Sequence, residues 1–172
     1  GDDASNWGII PVWGFADVIE SKSNDIAVGE RLFGYFPPAE SLKLKPVSVT
    51  SGTLLEGAAS RAHLPVGYNL YRRVNNEPGY NRSQDDERML LFVLHLTAFC
   101  IHDMLESAQW HGAEQVVIIS ASSKTSSGLA AGLSVDEKAP TVIGLTSNRN
   151  LDFVNATGIY DAAFTYDDLT QI

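Results

Sequence analysis

Cysteine is nearly absent from this chain. Cys100 is the only one in 172 residues, so an internal disulfide and a four-cysteine zinc site are both excluded. Basic residues are scarce as well, with 12 Lys and Arg against 21 Asp and Glu and a formal net charge of −9. That balance argues against nucleic acid or an anionic membrane as a general partner, because both need a basic surface. A small anionic ligand needs only a local positive pocket and stays open. Long apolar runs are missing too: no stretch approaches the roughly 20 residues that span a bilayer. The amino end has no charged leader followed by an apolar core. Cytoplasmic residence fits these absences.

What is present is globular in character. The hydrophobic fraction of 44% allows a core, and the length suits one domain or parts of two. The chain opens abruptly at Gly1-Asp2-Asp3-Ala4, and Asp167-Asp168-Leu169 near its end reads as the start of another helix. The expectation is a central fragment of something longer.

The pattern changes near residue 90. Before it, short apolar runs with turn punctuation predict β structure: Ile9 to Val12, Phe15 to Glu20 and Arg31 to Tyr35. Val28-Gly29-Glu30-Arg31 marks a tight turn into the third run, and Pro37-Pro38 ends it, since proline lacks the ladder donor. Leu42, Leu44 and Pro46 suggest one more extended segment, with Lys43 and Lys45 on its other face. Trp7 and Trp13 are expected to anchor this part. Residues 47–84 are harder to read, and Val66 to Tyr71 fits either a strand or a helical turn.

Asp85-Asp86-Glu87 places acid where a helix would start, favourable to its dipole. That helix is expected to run through Met89 to Leu105 with a bend near Thr97. Strand and helix then alternate. Val116-Val117-Ile118-Ile119 and Thr141 to Leu145 read as strands, a short helix closes on Gly158, and Ala162 to Thr165 is a third apolar run. Such alternation implies right-handed crossovers and a parallel sheet, whose ligands bind beyond the carboxyl ends of its strands.

The loop after the first of these strands is Ser120-Ala121-Ser122-Ser123-Lys124-Thr125-Ser126-Ser127-Gly128. Backbone amides at a helix start, with hydroxyls and Lys124, suit a phosphate. A plain polar loop capping its helix is the competing reading, and both stay open. It is no P-loop, since the upstream glycines are missing. The second strand ends in Thr146-Ser147-Asn148-Arg149. An acid at that place binds the ribose of NAD, whereas an arginine accommodates a 2′-phosphate; having Arg149 and no acid favours NADP. Alternatively Asn148 caps the next helix and Arg149 is merely solvated. His63, His95, His102 and His111 have no metal-motif spacing, so no metal is expected, and Cys100 reads as a packing residue. Tyr68, Tyr71 and Tyr80 are candidate proton donors, each better explained as a buried or surface tyrosine.

Taken in order, these features resemble the medium-chain dehydrogenase/reductase superfamily. Trp13-Gly14-Phe15-Ala16-Asp17-Val18-Ile19-Glu20 and Ala27-Val28-Gly29-Glu30-Arg31-Leu32-Phe33-Gly34-Tyr35 look like its β-rich domain. Leu96-Thr97-Ala98-Phe99 resembles its linking helix, Val116 to Ala130 its first nucleotide-binding strand, loop and helix, and Val142 to Tyr166 the next strand, helix and strand. The hexapeptide Ser120 to Thr125 is similar to a bacterial, quinone-oxidoreductase-like branch catalogued without assigned function. Residues 47–88 match poorly.

The fold implied is α/β: part of a GroES-like β-rich domain over residues 1–88, then a linking helix and the first half of a Rossmann-type doubly wound parallel sheet over 89–172. The function implied is a zinc-independent, NADPH-dependent oxidoreductase acting on a quinone, enone or activated carbonyl compound. Ser122, Ser123, Lys124 and Thr125 would hold the pyrophosphate, Ser147 and Arg149 the 2′-phosphate, and Thr97 would border the nicotinamide. No residue takes the acid role. Self-association, as a homodimer, is left open. Ser120, Ser123, Lys124 and Ser126 stand where the quinone-reductase pattern has glycines, and the zinc ligands of the alcohol dehydrogenase branch have no counterparts. A non-catalytic NADP(H)-binding or sensor protein, or an inactive fragment, are the alternatives.

Overall fold

The computed structural model describes residues 8–171, with side chains as far as Asp168; Trp7 lies outside these residues. The chain forms two compact units, Gly1–Met89 and Leu90–Ile172, and its class is mixed α/β, with one antiparallel and one parallel sheet.

In the first unit, strands β1 (Val12–Asp17), β2 (Arg31–Phe36), β3 (Pro46–Val49), β4 (Thr53–Glu56) and β5 (Leu70–Arg73) form a five-stranded antiparallel sheet in the order β1-β2-β5-β4-β3. Leu32, Phe36, Leu54 and Tyr71 are buried together with Ile26 and make its core. Trp13 anchors the other aromatic cluster, its ring centroid 5.3 Å from that of Tyr35 and 6.0 Å from that of Phe33. The turn before β2 needs Gly29, whose φ is +87°. It sets Glu30 and Arg31 side by side for two ion-pair networks. Glu30 is held by the Arg73 guanidinium. Arg31 bonds Asp17 at 2.8 Å and Asp85 at 2.7 Å, and its Nε donates to the Tyr80 hydroxyl.

Two expectations for this unit are corrected, and a third is refined. The runs 9–12 and 15–20 are not separate strands: one ladder pairs Val12 through Asp17 continuously with Phe36 through Arg31. Ile9 and Ile10 stay exposed ahead of it, beyond Pro11, which has no amide hydrogen to donate. Leu42 to Lys45 is irregular, and the extended segment begins only at Pro46. Val66 to Tyr71 is both of the alternatives in turn, a 3-10 turn (Val66–Tyr68) followed by β5.

Helix α1 (Asp85–Ser107) starts on three acids and runs unbroken through Thr97, where a bend was expected. The Thr97 hydroxyl donates to the Val93 carbonyl one turn back without interrupting the helix. With the 3-10 turn before it, the segment 82–107 is long and apolar enough to cross a membrane by length and composition, which a search for uninterrupted apolar runs misses because His95, Thr97 and His102 break the run. Leu90, Leu96, Phe99 and Met104 are exposed along it. Cys100 is also exposed and so is not the packing residue expected; Ala98 faces inward instead.

After α1 a turn with φ near +50° at Gln109, Trp110 and His111 leads through Gly112. The second unit then alternates β6 (Gln115–Ile119), α2 (Lys124–Ser134), β7 (Thr141–Thr146), α3 (Leu151–Thr157) and β8 (Ala162–Thr165). The three strands are parallel in the order β6-β7-β8, with Val116 opposite Val142 and Leu145 opposite Phe164. Ile118, Leu129, Ala130, Leu133 and Val142 bury the face that α2 and Ala98 cover.

Candidate functional site

Because β6, β7 and β8 are parallel, the segments following them share one edge of the sheet. The first segment turns sharply at Ser120, which takes a φ of +53°, a conformation rare for a residue with a Cβ. The chain makes this turn with serine, without the glycine that such a φ favours. Ser123 is the N-cap of α2: its Oγ accepts from the Ser126 amide at 3.2 Å. Ser126 Oγ donates to the Ile119 carbonyl, and Ser127 Oγ donates to that of Ala121. The loop is thus closed by its own hydroxyls.

Two contacts fix it to the rest of the sheet. The Ala121 amide bonds the Leu145 carbonyl at 2.9 Å, and the Tyr160 hydroxyl donates to the Ala121 carbonyl at 2.8 Å. Burial pushes the Tyr160 hydroxyl up to about 12, while its contact with Ser127 pulls the other way. It therefore stays a proton donor, which suits a structural strut.

Of the residues expected to bind cofactor, the structure gathers six at this edge. Asn150 Nδ2 donates to Ser122 Oγ at 3.0 Å, tying the loop that carries Ser122, Ser123, Lys124 and Thr125 to the turn that carries Ser147 and Arg149. Lys124 and Arg149 are exposed, and among the described residues neither makes an ion pair. The first turn of α2 leaves the amides of Lys124 and Thr125 without a protein acceptor among the described residues. Thr97 is exposed on α1, and its hydroxyl donates to the Val93 carbonyl of its own helix. Nor does Asn148 cap the next helix, since Ser147 precedes the 3-10 turn (Asn148–Asn150) and Asn150 precedes α3.

Sequence reasoning did not single out Asn150, Tyr160 or Tyr166. The Tyr166 hydroxyl accepts from the Ser120 amide at 3.0 Å, a contact across 46 positions with no local signal. Of the three tyrosines considered as acids, Tyr68 is exposed, and the hydroxyls of the other two are engaged. Tyr71 donates to the Tyr35 carbonyl, and Tyr80 donates to Asp85 while accepting from Arg31. Desolvation first, for both, raises their hydroxyls above the ordinary tyrosine range. The described cavity, of about 240 Å³, lies at the other edge of the parallel sheet, between the end of α2 and the starts of β7 and β8.

Two units, one antiparallel and one parallel, with a hydroxyl-lined loop opening a helix, define a mixed α/β protein with a candidate anion site. The chain belongs to the family described as "Protein of unknown function (DUF2855)", whose profile matches residues 1–172. No curated protein matches it.

Proposed function

We propose that the chain belongs to a zinc-independent, NADPH-dependent oxidoreductase of the medium-chain dehydrogenase/reductase kind. The antiparallel unit is then the GroES-like part, and the parallel unit is the first half of a Rossmann-type sheet. The observation that carries the reading is the Asn150–Ser122 hydrogen bond, which joins the phosphate-loop candidate to the Arg149 turn at the carboxyl edge of the parallel strands. Ligands of open α/β sheets bind at that edge.

The free amides of Lys124 and Thr125 and the exposed Lys124 side chain fit a pyrophosphate at the α2 start. Arg149 fits a 2′-phosphate, and no carboxylate stands in the Thr146–Arg149 segment to prefer a ribose hydroxyl. Ser147 is beside it, with its hydroxyl unused among the described residues. NADPH held there would supply hydride to a quinone, enone or other activated carbonyl compound. Positioning by this chain would supply much of the rate.

One observation favours a non-catalytic NADP(H)-binding protein. The Ser123 and Ser126 hydroxyls are committed to the loop's own bonds, leaving fewer groups to grip a cofactor. Calorimetric titration with NADPH and NADH, followed by turnover of a quinone and enone panel, separates the two readings. The expected result is preference for NADPH, reduced about tenfold or more by Arg149→Ala, the size of a lost charge-assisted hydrogen bond. Equal affinity for the two cofactors, or an unaffected variant, would remove the assignment.

A further inference from the structure

His102, Glu106 and Asp136 converge in the second unit, each offering one ligand atom, and all three atoms lie within 4.8 Å of one another. His102 and Glu106 are four residues apart on α1 and so share a helix face. Asp136 comes from the connection between α2 and β7. His102 Nε2 is 2.9 Å from Asp136 Oδ2. Two donors on one tetrahedral metal, each about 2.0–2.2 Å from it, are about 3.3–3.6 Å apart, so this pair needs to open by only about half an ångström to admit an ion. Glu106 is exposed and needs only a rotamer adjustment to close the set.

The surroundings hold the donors in place, as ligand orientation requires. The other carboxylate oxygen of Asp136 accepts from the Lys138 amide at 2.9 Å, which aims Oδ2 at the imidazole. A Cβ on Gly132 would meet His102 Nδ1 at 3.2 Å, so glycine there makes room for the ring. Trp110 flanks the ring, with centroids 5.8 Å apart. A histidine–aspartate tether between two elements would need no third group. Here a second carboxylate, one turn further along α1, joins it.

We propose that His102 Nε2 and the carboxylates of Glu106 and Asp136 form a binding site for a first-row divalent cation of the zinc class. One nitrogen and two oxygens suit zinc or cobalt better than magnesium or calcium, which favour all-oxygen sets. Three protein donors leave a coordination position for water or a small ligand, and Asp136 also lines the 240 Å³ cavity. The ion would clip α1 to the α2–β7 connection, at the sheet edge opposite the nucleotide loop. It is therefore independent of the cofactor reading.

Titration of the metal-free full chain with Zn²⁺ by calorimetry, with Co²⁺ absorbance as a second probe, tests this. The expected result is one ion per chain, a Co²⁺ spectrum without a thiolate charge-transfer band, which separates the site from Cys100, and a rise in Tm on adding Zn²⁺. Glu106→Gln leaves the His102–Asp136 bond intact. It should keep the metal-free Tm while weakening Zn²⁺ more than about tenfold. His102→Ala should also abolish binding, but the Glu106 variant keeps the test clean if that protein misfolds. Zn²⁺ affinity unchanged in Glu106→Gln, or no stoichiometric binding by the parent chain, would overturn the proposal.

Discussion

Gly144 shows how tightly the candidate site is built. A Cβ there would lie 2.9 Å from Tyr160 Cδ1 and 3.1 Å from the Ala121 side chain, both of them parts of the strut beneath the loop. Neither neighbour is the free end of a flexible chain, so Gly144→Ala is expected to destabilise the protein by about 1–3 kcal/mol. It should also disturb the Ser122 loop through the Tyr160–Ala121 bond. Denaturant unfolding measures the first effect, and a stability unchanged within about 0.5 kcal/mol would show that the strut yields. At this scale the sequence spoke unevenly. Gly29 and Ser123 are identifiable from the residue types that turns and caps demand. The exposure of Cys100 is not, because its neighbours on α1 are apolar and only the packing of Ala98 decides which face turns inward.

Among the elements, the turn before β2 and strand β5 are joined by a charged pair whose pH dependence is predictable. The Arg73 guanidinium bonded to Glu30 holds its carboxyl below the usual carboxylate range, against the opposing effect of burial. Glu77 is lowered as well: burial works against ionisation, but its contacts with Arg88 and Arg72 prevail. A depressed carboxyl favours the folded state above its unfolded value, and that contribution disappears as pH falls through the folded value. Glu30→Gln is therefore expected to cost about 1–3 kcal/mol at pH 7. The gap to the parent should narrow below about pH 4, where the parent loses the same interaction. Urea unfolding at several pH values measures it; a gap that stays constant into strong acid would assign the cost to packing instead.

The parallel elements were the most legible, because apolar β-branched runs bounded by small polar loops fit few alternatives: β6, β7 and β8 lie where those runs predict. The short strands β4 and β5 were not, since four residues carry too little alternation to stand out. At the amino end the apolar runs misled, because Ile9 and Ile10 are as hydrophobic as the strand they precede and only the ladder register excludes them.

At the scale of the whole molecule, the candidate site depends on contacts no local pattern predicts. Arg149 and Lys124 are 25 positions apart, and what relates them is the parallel pairing of β6 with β7 together with the Asn150–Ser122 bond. The alternation of strands and helices was sufficient to predict the parallel pairing, but neither the Asn150–Ser122 bond nor the meeting of His102 on α1 with Asp136 in the α2–β7 connection. The central claim is that a phosphorylated dinucleotide sits against the start of α2 and the Arg149 turn. Amide chemical shifts of the isotope-labelled full chain, followed as NADPH is added, test it directly. The expected result is saturable movement of Lys124, Thr125 and the Ser147–Asn150 amides, while those around His102 and Asp136 stay in place. Saturation with those loop amides unmoved would contradict it.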